Sequence, residues 1–261
     1  MDGVNKTLYI PLYGKAYVSR KGIILQDPKA EQIWQKEGFP LRGKSKSKWL
    51  AYYMSMRAAV FDAWVKEKLE ETEDAVVLHL GCGMDSRALR VGNDSIVWYD
   101  VDFPDVIRAR QQYFGESAVY RMLSGDAREG QWLENIPCGG AAVVAMEGVS
   151  MYISPEELEK LLERLAEHFG QVFLLMDCYT CLAAQMSRYR NPVRDVGVTQ
   201  VYGLDDPHAL CGSGMRFTAE HDVTPERYSR QLQGMERKIF EKLYAGKFSK
   251  KLYRMFEFSK K

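Results

Sequence analysis

From about residue 76 the chain alternates short apolar runs with helically spaced apolar stripes, the arrangement expected of a parallel α/β sheet. Ala75-Val76-Val77-Leu78-His79-Leu80 reads as a buried strand that stops at Gly81-Cys82-Gly83. A short helix over Ser86 to Val91 follows, then a Gly-Asn-Asp-Ser turn and a second strand over Ile96 to Asp100. Pro104 suits the first position of the next helix, whose apolar residues continue to Phe114. Val119 to Leu123 predicts a third strand ending near Asp126. Ala141 to Met146 predicts a fourth, all small or apolar, as in a strand covered on both faces. Ser154, Pro155 and Glu157 carry a capping-box signature, after which Leu158, Leu161, Leu162, Leu165, Ala166 and Phe169 fall on one helical face. Gly170 closes that helix ahead of a fifth strand over Val172 to Met176. Farther on, Asp206-Pro207 starts a short helix, Met215 to Glu220 suits a strand, and Thr224-Pro225 opens a long helix. Leu252 to Phe258 reads as the last strand, its basic flanks suited to an exposed sheet edge.

Ahead of the sheet, a long helix over Trp49 to Leu69 has an apolar stripe at Leu50, Tyr53, Phe61, Trp64 and Val65. Arg57 falls inside that stripe. A guanidinium on an apolar face must find a partner, because an unpaired buried charge is too costly. Periodicity leaves two partners open: a structural carboxylate, or an anionic ligand at the top of the sheet. No repeat or flexible linker is visible, so one domain is expected.

Composition narrows the class without naming an activity. The 261 residues hold 36 Lys+Arg against 35 Asp+Glu, a formal charge of +1, which argues against a dedicated nucleic-acid binder. With 46% hydrophobic and 12% aromatic residues the chain is globular. No run approaches the roughly 18 apolar residues that a bilayer span needs, and the N-terminus has no secretory pattern. A cytoplasmic location is therefore expected. Five scattered cysteines fit a reduced protein. Cys178 and Cys181 have CxxC spacing but no second pair at matching distance, so they are read as buried structural thiols, with no metal site.

The chemistry concentrates where strands end. Glycines at 81 and 83 let the backbone approach a ligand, and the helix start beyond them offers unpaired N–H groups. Asp100 and Asp102 stand at the tip of the second strand, placed to accept from both hydroxyls of a ribose. Strand alternation puts them on one face; Asp102, nearer the tip, is preferred over Asp100, the competing role for either being to cap the Pro104 helix. A dinucleotide turn asks for a third glycine where this chain has Ser86, and Asp85 would meet a diphosphate. An acidic turn suits a cationic ligand instead, such as S-adenosylmethionine with its ammonium and sulfonium. Asp126 and Glu147 end two later strands, where they could meet the adenine amino group and the methionine part, with Arg57 on the ligand carboxylate.

The stretch Val77 to Arg87, Tyr99-Asp100-Val101-Asp102-Phe103-Pro104, the Asp126 turn and Met146-Glu147-Gly148-Val149-Ser150-Met151-Tyr152 together resemble the leucine carboxyl methyltransferases. Closest in style is the bacterial branch similar to the O-methyltransferase of tetracenomycin polyketide synthesis. The likeness runs from about Thr7 to Tyr253-Arg254-Met255-Phe256. It implies a class I, Rossmann-like fold with a seven-stranded, mostly parallel sheet and an antiparallel last strand. Residues 1–74 would form an N-terminal helical cover and 75–261 the core, with a lid at about 180–222. It also implies S-adenosylmethionine as cofactor, held at Lys15, Arg57, Gly81, Gly83, Asp102, Asp126, Ala127 and Glu147. Ala127 departs from the Leu that many relatives place beside adenine.

Methyl transfer from a sulfonium is an in-line displacement, in which the enzyme supplies alignment. Relatives methylate carboxylates, which need no general base at pH 7. Tyr152 is the candidate for positioning the acceptor, a carboxylate or hydroxyl of a small molecule or peptide; packing over the Ser154 helix start is its other role. Arg188, Tyr189 and Arg190 are candidates for an acceptor lid or for a solvated helix face. A catalytically silent cofactor-binding protein is a rival reading. Methylation of RNA is another, disfavoured by the charge balance, and the runs Lys44 to Lys48 and Lys247 to Lys251 are read as solvated surface. An NAD oxidoreductase comes last. Neither the acceptor nor the oligomeric state is legible.

Overall fold

The computed structural model describes residues 5–38, 43–92, 95–189 and 200–260. Its strands are β1 (Val76–Leu80), β2 (Trp98–Asp102), β3 (Tyr120–Ser124), β4 (Gly139–Met146), β5 (Phe169–Tyr179), β6 (Arg216–His221) and β7 (Tyr253–Lys260). They form one sheet in the order β3-β2-β1-β4-β5-β7-β6. The first five pair in parallel, while β7 runs antiparallel to both β5 and β6. This is the class I methyltransferase arrangement.

Hydrophobic burial on both faces holds the centre together. Val143 and Ala145 of β4 face a core shared with Phe61 and Trp64, whereas Val144 and Met146 pack with Leu158, Leu161 and Leu165. The second group comes from a helix, α6 (Pro155–His168), which begins with the expected capping box between Ser154 and Glu157. The first comes from α3 (Lys48–Glu71). Ahead of it lie α1 (Asn5–Lys21) and α2 (Pro28–Glu37), the latter capped by Asp27, which accepts from the Ala30 N–H at 2.8 Å.

Several boundaries differ from expectation for physical reasons. The last strand is not an edge: β7 lies between β5 and β6, with Met255, Phe256 and Phe258 fully buried. The edge is β6, where a register shift between Phe217 and Ala219 interrupts the ladder in the manner of sheet edges. The long helix expected from Thr224 is broken into α8 (Glu226–Ser229) and α9 (Gly234–Leu243), with Leu232 turned into the core and Gly234 at φ 52°. The fifth strand does not stop at Met176 but continues through Asp177. Of the lid expected over 180–222, the part from 216 to 221 is β6 itself, and 207–213 is a 3-10 turn. Among the described residues of that span, α7 (Cys181–Tyr189) borders a cavity at the carboxyl ends of β1 and β4 through Ser187. Arg190 and the side chains of Arg188 and Tyr189 lie outside the described residues. In the CxxC pair, Cys178 is buried as expected but Cys181 is exposed, and neither is in a disulfide. Among the described residues no helix is long and apolar enough to cross a membrane.

Candidate active site

A cavity of about 300 Å³ opens at the carboxyl ends of β1 and β4. Its floor is the turn Gly81-Cys82-Gly83-Met84-Asp85 and the segment Glu147-Gly148; Leu8, Pro11, Leu12 and Lys15 of α1 and Met54 and Arg57 of α3 wall it from the N-terminal side. Tyr152, Tyr179 and Tyr253 also line it. Thus Lys15, Arg57, Gly81, Gly83, Glu147 and Tyr152 come together, drawn from four separate parts of the chain.

The turn depends on its glycines. Gly81 has φ 66° and Gly83 φ 51°, a region that residues with a side chain enter at a cost. A Cβ on Gly81 would stand 2.2 Å from Val149 Cγ2, so only glycine lets the turn pass under the β4 loop. Asp102 fixes the turn from the side: its Oδ2 accepts from Gly83 N–H and its Oδ1 from Phe103 N–H, each at 2.8 Å. Burial raises its pKa, and those two N–H groups offset part of the rise. It does not cap the next helix, α5 (Pro104–Arg110), whose N-terminus has no side-chain cap.

Asp100 is different, and the structure separates the two acids that alternation left together. It is wholly buried among Arg110, Tyr120, Trp98 Nε1 and His79 Nδ1, the last at 3.0 Å. Burial alone would raise its pKa, but Arg110 and His79 hold it down at about 2. It is a structural counterion inside the sheet.

Arg57 is bound on several sides at once. Its Nε donates to Glu147 Oε1 at 3.0 Å, and its Nη1 donates to Asp177 Oδ2 at 2.9 Å and to the Tyr253 hydroxyl at 2.6 Å. Glu147 also accepts from Arg87. Burial pushes the Glu147 carboxyl upward, yet Arg57 and Arg87 together hold it at about 2. Lys15, almost fully buried, lies 3.4 Å from Asp85, which Arg90 also contacts at 2.8 Å. Despite its burial, Arg90, Lys15 and Arg87 hold Asp85 well below the usual carboxylate range. Arg90 further pairs with Asp62 of α3 and with Asp27, each at 2.6 Å, tying the N-terminal helices to the turn.

Asp126 and Ala127, like Asp102, are not among the residues that line this cavity. They follow β3, where Gly125 N–H donates to Asp102 O at 2.9 Å and so sets them beside the tip of β2. Arg128 contacts both Asp126 oxygens, at 3.0 Å from Nε and 2.6 Å from Nη2. Against the upward push of partial burial, this pairing lowers the Asp126 pKa. Ala127 packs on the core beneath.

Sequence reasoning missed Asp177 and the role of the Tyr253 hydroxyl. A signal existed: an acid that continues an apolar strand, five residues after Val172, is as anomalous as an Arg in an apolar stripe.

Residues 12–166 match the leucine carboxyl methyltransferase family. The chain is 29% identical over 242 residues to the tetracenomycin polyketide synthesis O-methyltransferase of Streptomyces glaucescens, covering 91% of this chain and 89% of that protein. It is 28% identical to an S-adenosyl-L-methionine-dependent methyltransferase of Gibberella zeae, over 80% of this chain and 78% of that one. Among solved structures, a proposed methyltransferase of Thermobifida fusca aligns with a TM-score of 0.60 at 13% identity, covering 95% of this chain and 94% of that one. Magnesium protoporphyrin IX methyltransferase of Synechocystis, with bound SAH, aligns at 0.52 and 11% identity over 88% of this chain and 93% of that one.

Proposed function

The chain belongs to the leucine carboxyl methyltransferase family and is an S-adenosylmethionine-dependent methyltransferase, and we propose that it methylates an oxygen of a small molecule or peptide, a carboxylate in preference to a hydroxyl. On this reading 75–261 is the catalytic core and 1–74 its cover, working as a single cytoplasmic unit.

The residues fit the cofactor. The turn at Gly81 and Gly83 brings backbone to the cavity wall, and Asp85 and Glu147 stand beside it where an ammonium and a sulfonium must be balanced. Lys15 and Arg57, both facing the cavity, are the cations suited to the amino-acid carboxylate, with Glu147 beside them. Asp102 has used one lone pair on each oxygen for backbone N–H groups, and the others remain for ribose hydroxyls. Asp126 and Ala127, past the tip of β2, suit the adenine; its amino group would share the Asp126 carboxylate with Arg128.

Bound there, S-adenosylmethionine supplies a methyl group on a sulfonium, which an acceptor oxygen displaces in line. What the chain provides is alignment, and the described lining residues offer no base for a neutral hydroxyl. His79 Nε2 lies 2.9 Å from Arg87 Nη1 and accepts from it, so Nδ1 carries the proton and donates to Asp100. Glu147 and Asp85 are held as weak bases by their cations. Burial raises the pKa of Tyr152, Tyr179 and Tyr253, so their hydroxyls stay protonated. A carboxylate acceptor arrives ionised at pH 7 and needs none of them as base. Tyr152 then serves as a donor that holds one acceptor oxygen while the other attacks.

This lack of a base among the described lining residues carries the preference for carboxylate. Calorimetric titration with S-adenosylhomocysteine tests the cofactor, and failure to bind overturns the reading. Screening carboxylic acids, phenols and aliphatic alcohols for S-adenosylhomocysteine release tests the acceptor: turnover with acids supports it, and turnover confined to phenols or alcohols refutes it. Binding without turnover on any acceptor points to the silent cofactor-binding protein.

A further inference from the structure

Asp177 has no solvent exposure, yet it bonds to three separate elements. Its Oδ1 accepts from the Gly148 N–H at 2.6 Å, and its Oδ2 accepts from Arg57 Nη1 at 2.9 Å and from the Tyr253 hydroxyl. Its carbonyl oxygen accepts from Ser150 Oγ. One residue of β5 thereby holds α3 through Arg57, the loop after β4 through Gly148 and Ser150, and β7 through Tyr253. The contact is close: a Cβ on Gly148 would lie 3.4 Å from Arg57 Nη2.

An apolar side chain would fill this core position at lower cost than a buried carboxylate. The anion is useful because Arg57 has two jobs that a single partner cannot perform. Glu147 grips Nε and Nη2 on the cavity side, which by itself would let the guanidinium rotate about that edge. Asp177 and Tyr253 grip Nη1, the third nitrogen, and fix the plane. A fixed plane matters for a guanidinium that is to meet a ligand carboxylate, since that recognition is directional.

We propose that Asp177 is a positioning residue for the amino-acid end of the cofactor: it orients Arg57 and locks the loop carrying Glu147, with the Tyr253 hydroxyl as the bridge between Asp177 and Arg57. The proposal rests on the S-adenosylmethionine site described above. It gives this buried acid a task that neither burial nor strand pairing requires of it.

Two nucleosides separate positioning from mere stability. S-Adenosylhomocysteine carries the amino-acid end; 5′-methylthioadenosine lacks it. In Asp177→Asn the Kd for S-adenosylhomocysteine should rise about tenfold or more, the scale of one lost charge-assisted hydrogen bond, while that for 5′-methylthioadenosine stays within about twofold. The loss should be largely absent when Asp177→Asn is added to Arg57→Lys, because both act through one guanidinium. Tyr253→Phe removes only the bridging hydroxyl and should weaken S-adenosylhomocysteine selectively by about threefold; it carries the test if Asp177→Asn does not fold. Parallel weakening of both nucleosides, or no change in either, overturns the proposal. Wild-type protein that binds neither nucleoside overturns the cofactor reading itself.

Discussion

Replacing Gly81 with alanine perturbs the site through one methyl group, and the structure sets the size of the effect. Two costs add. At φ 66° an L-residue sits in the left-handed region, at about 1–2 kcal/mol. The new Cβ also meets Val149 Cγ2 at 2.2 Å, and such over-packing typically costs about 1–3 kcal/mol. The sum, about 2–5 kcal/mol, is less than the roughly 5–15 kcal/mol that holds a typical domain together. Gly81→Ala should therefore fold, with Tm lowered by roughly 4–20 °C. Relief must come from the loop after β4, because Val149 is the atom group in the way. That movement pulls Glu147 from Arg57 and Arg87, so affinity for S-adenosylhomocysteine should fall along with Tm.

The double variant separates the two costs. Val149→Ala deletes the offending Cγ2, while the Val149 Cβ already lies at an ordinary 3.5 Å. Gly81→Ala/Val149→Ala should recover the steric part of the binding loss but not the backbone part. Thermal unfolding and calorimetry on the four proteins of this cycle decide the matter. Unchanged Tm and affinity in Gly81→Ala, or no recovery whatever in the double variant, refutes the reasoning.

Arg57→Lys keeps the charge but loses the fork that reaches Glu147, Asp177 and Tyr253 together; breaking such buried pairs costs about 3–5 kcal/mol, so a large drop in Tm and at least a tenfold (about 1.4 kcal/mol) loss of S-adenosylhomocysteine affinity are expected, and near-wild-type binding would count against the role. Glu147 has its pKa lowered by folding to about 2, so its contribution is complete above the unfolded value of 4.5 and is lost as pH falls toward 2. The Tm gap between wild type and Glu147→Gln should accordingly narrow over that range, and a gap that widens on acidification contradicts the assignment. Cys138 and Cys181 are exposed whereas Cys82 and Cys178 are buried, so alkylation of native protein followed by peptide mass spectrometry should label the first two first. A Cys178–Cys181 disulfide found in that experiment would reopen a redox role.

Much of the fold was legible because the central parallel strands β1, β4 and β5 are largely buried on both faces and read as apolar runs, while α6 states its own start through Ser154, Pro155 and Glu157. What failed was information that no local pattern contains. The flanks of β7 are basic whether it is an edge or not; Lys260, for instance, donates to the carbonyl of Phe169 at 2.9 Å. Pairing with β6 on one side and β5 on the other is a property of distant segments, and only they decide the strand's place. The broken helix after Thr224 has the same origin, since Leu232 leaves the helical path to reach a core built from α3 and the sheet.

The site was legible where a residue contradicted its surroundings: Arg57 in an apolar stripe, Glu147 at the end of an apolar strand, glycines at a strand tip. Asp100 and Asp102 contradicted theirs equally, and only partners from elsewhere tell them apart, Arg110 and His79 for one, the Gly83 N–H for the other. Arg57 shows why the choice between a structural partner and a ligand was not a choice at all. A buried guanidinium aimed at an anionic ligand must survive the ligand's absence, and charge left unpaired there would cost more than the fold can spare. Internal carboxylates are therefore a condition of a binding arginine, and Glu147 and Asp177 meet that condition while Arg57 still borders the cavity. The same logic explains why Lys15, with Asp85 beside it, can stand almost fully buried at the cavity wall.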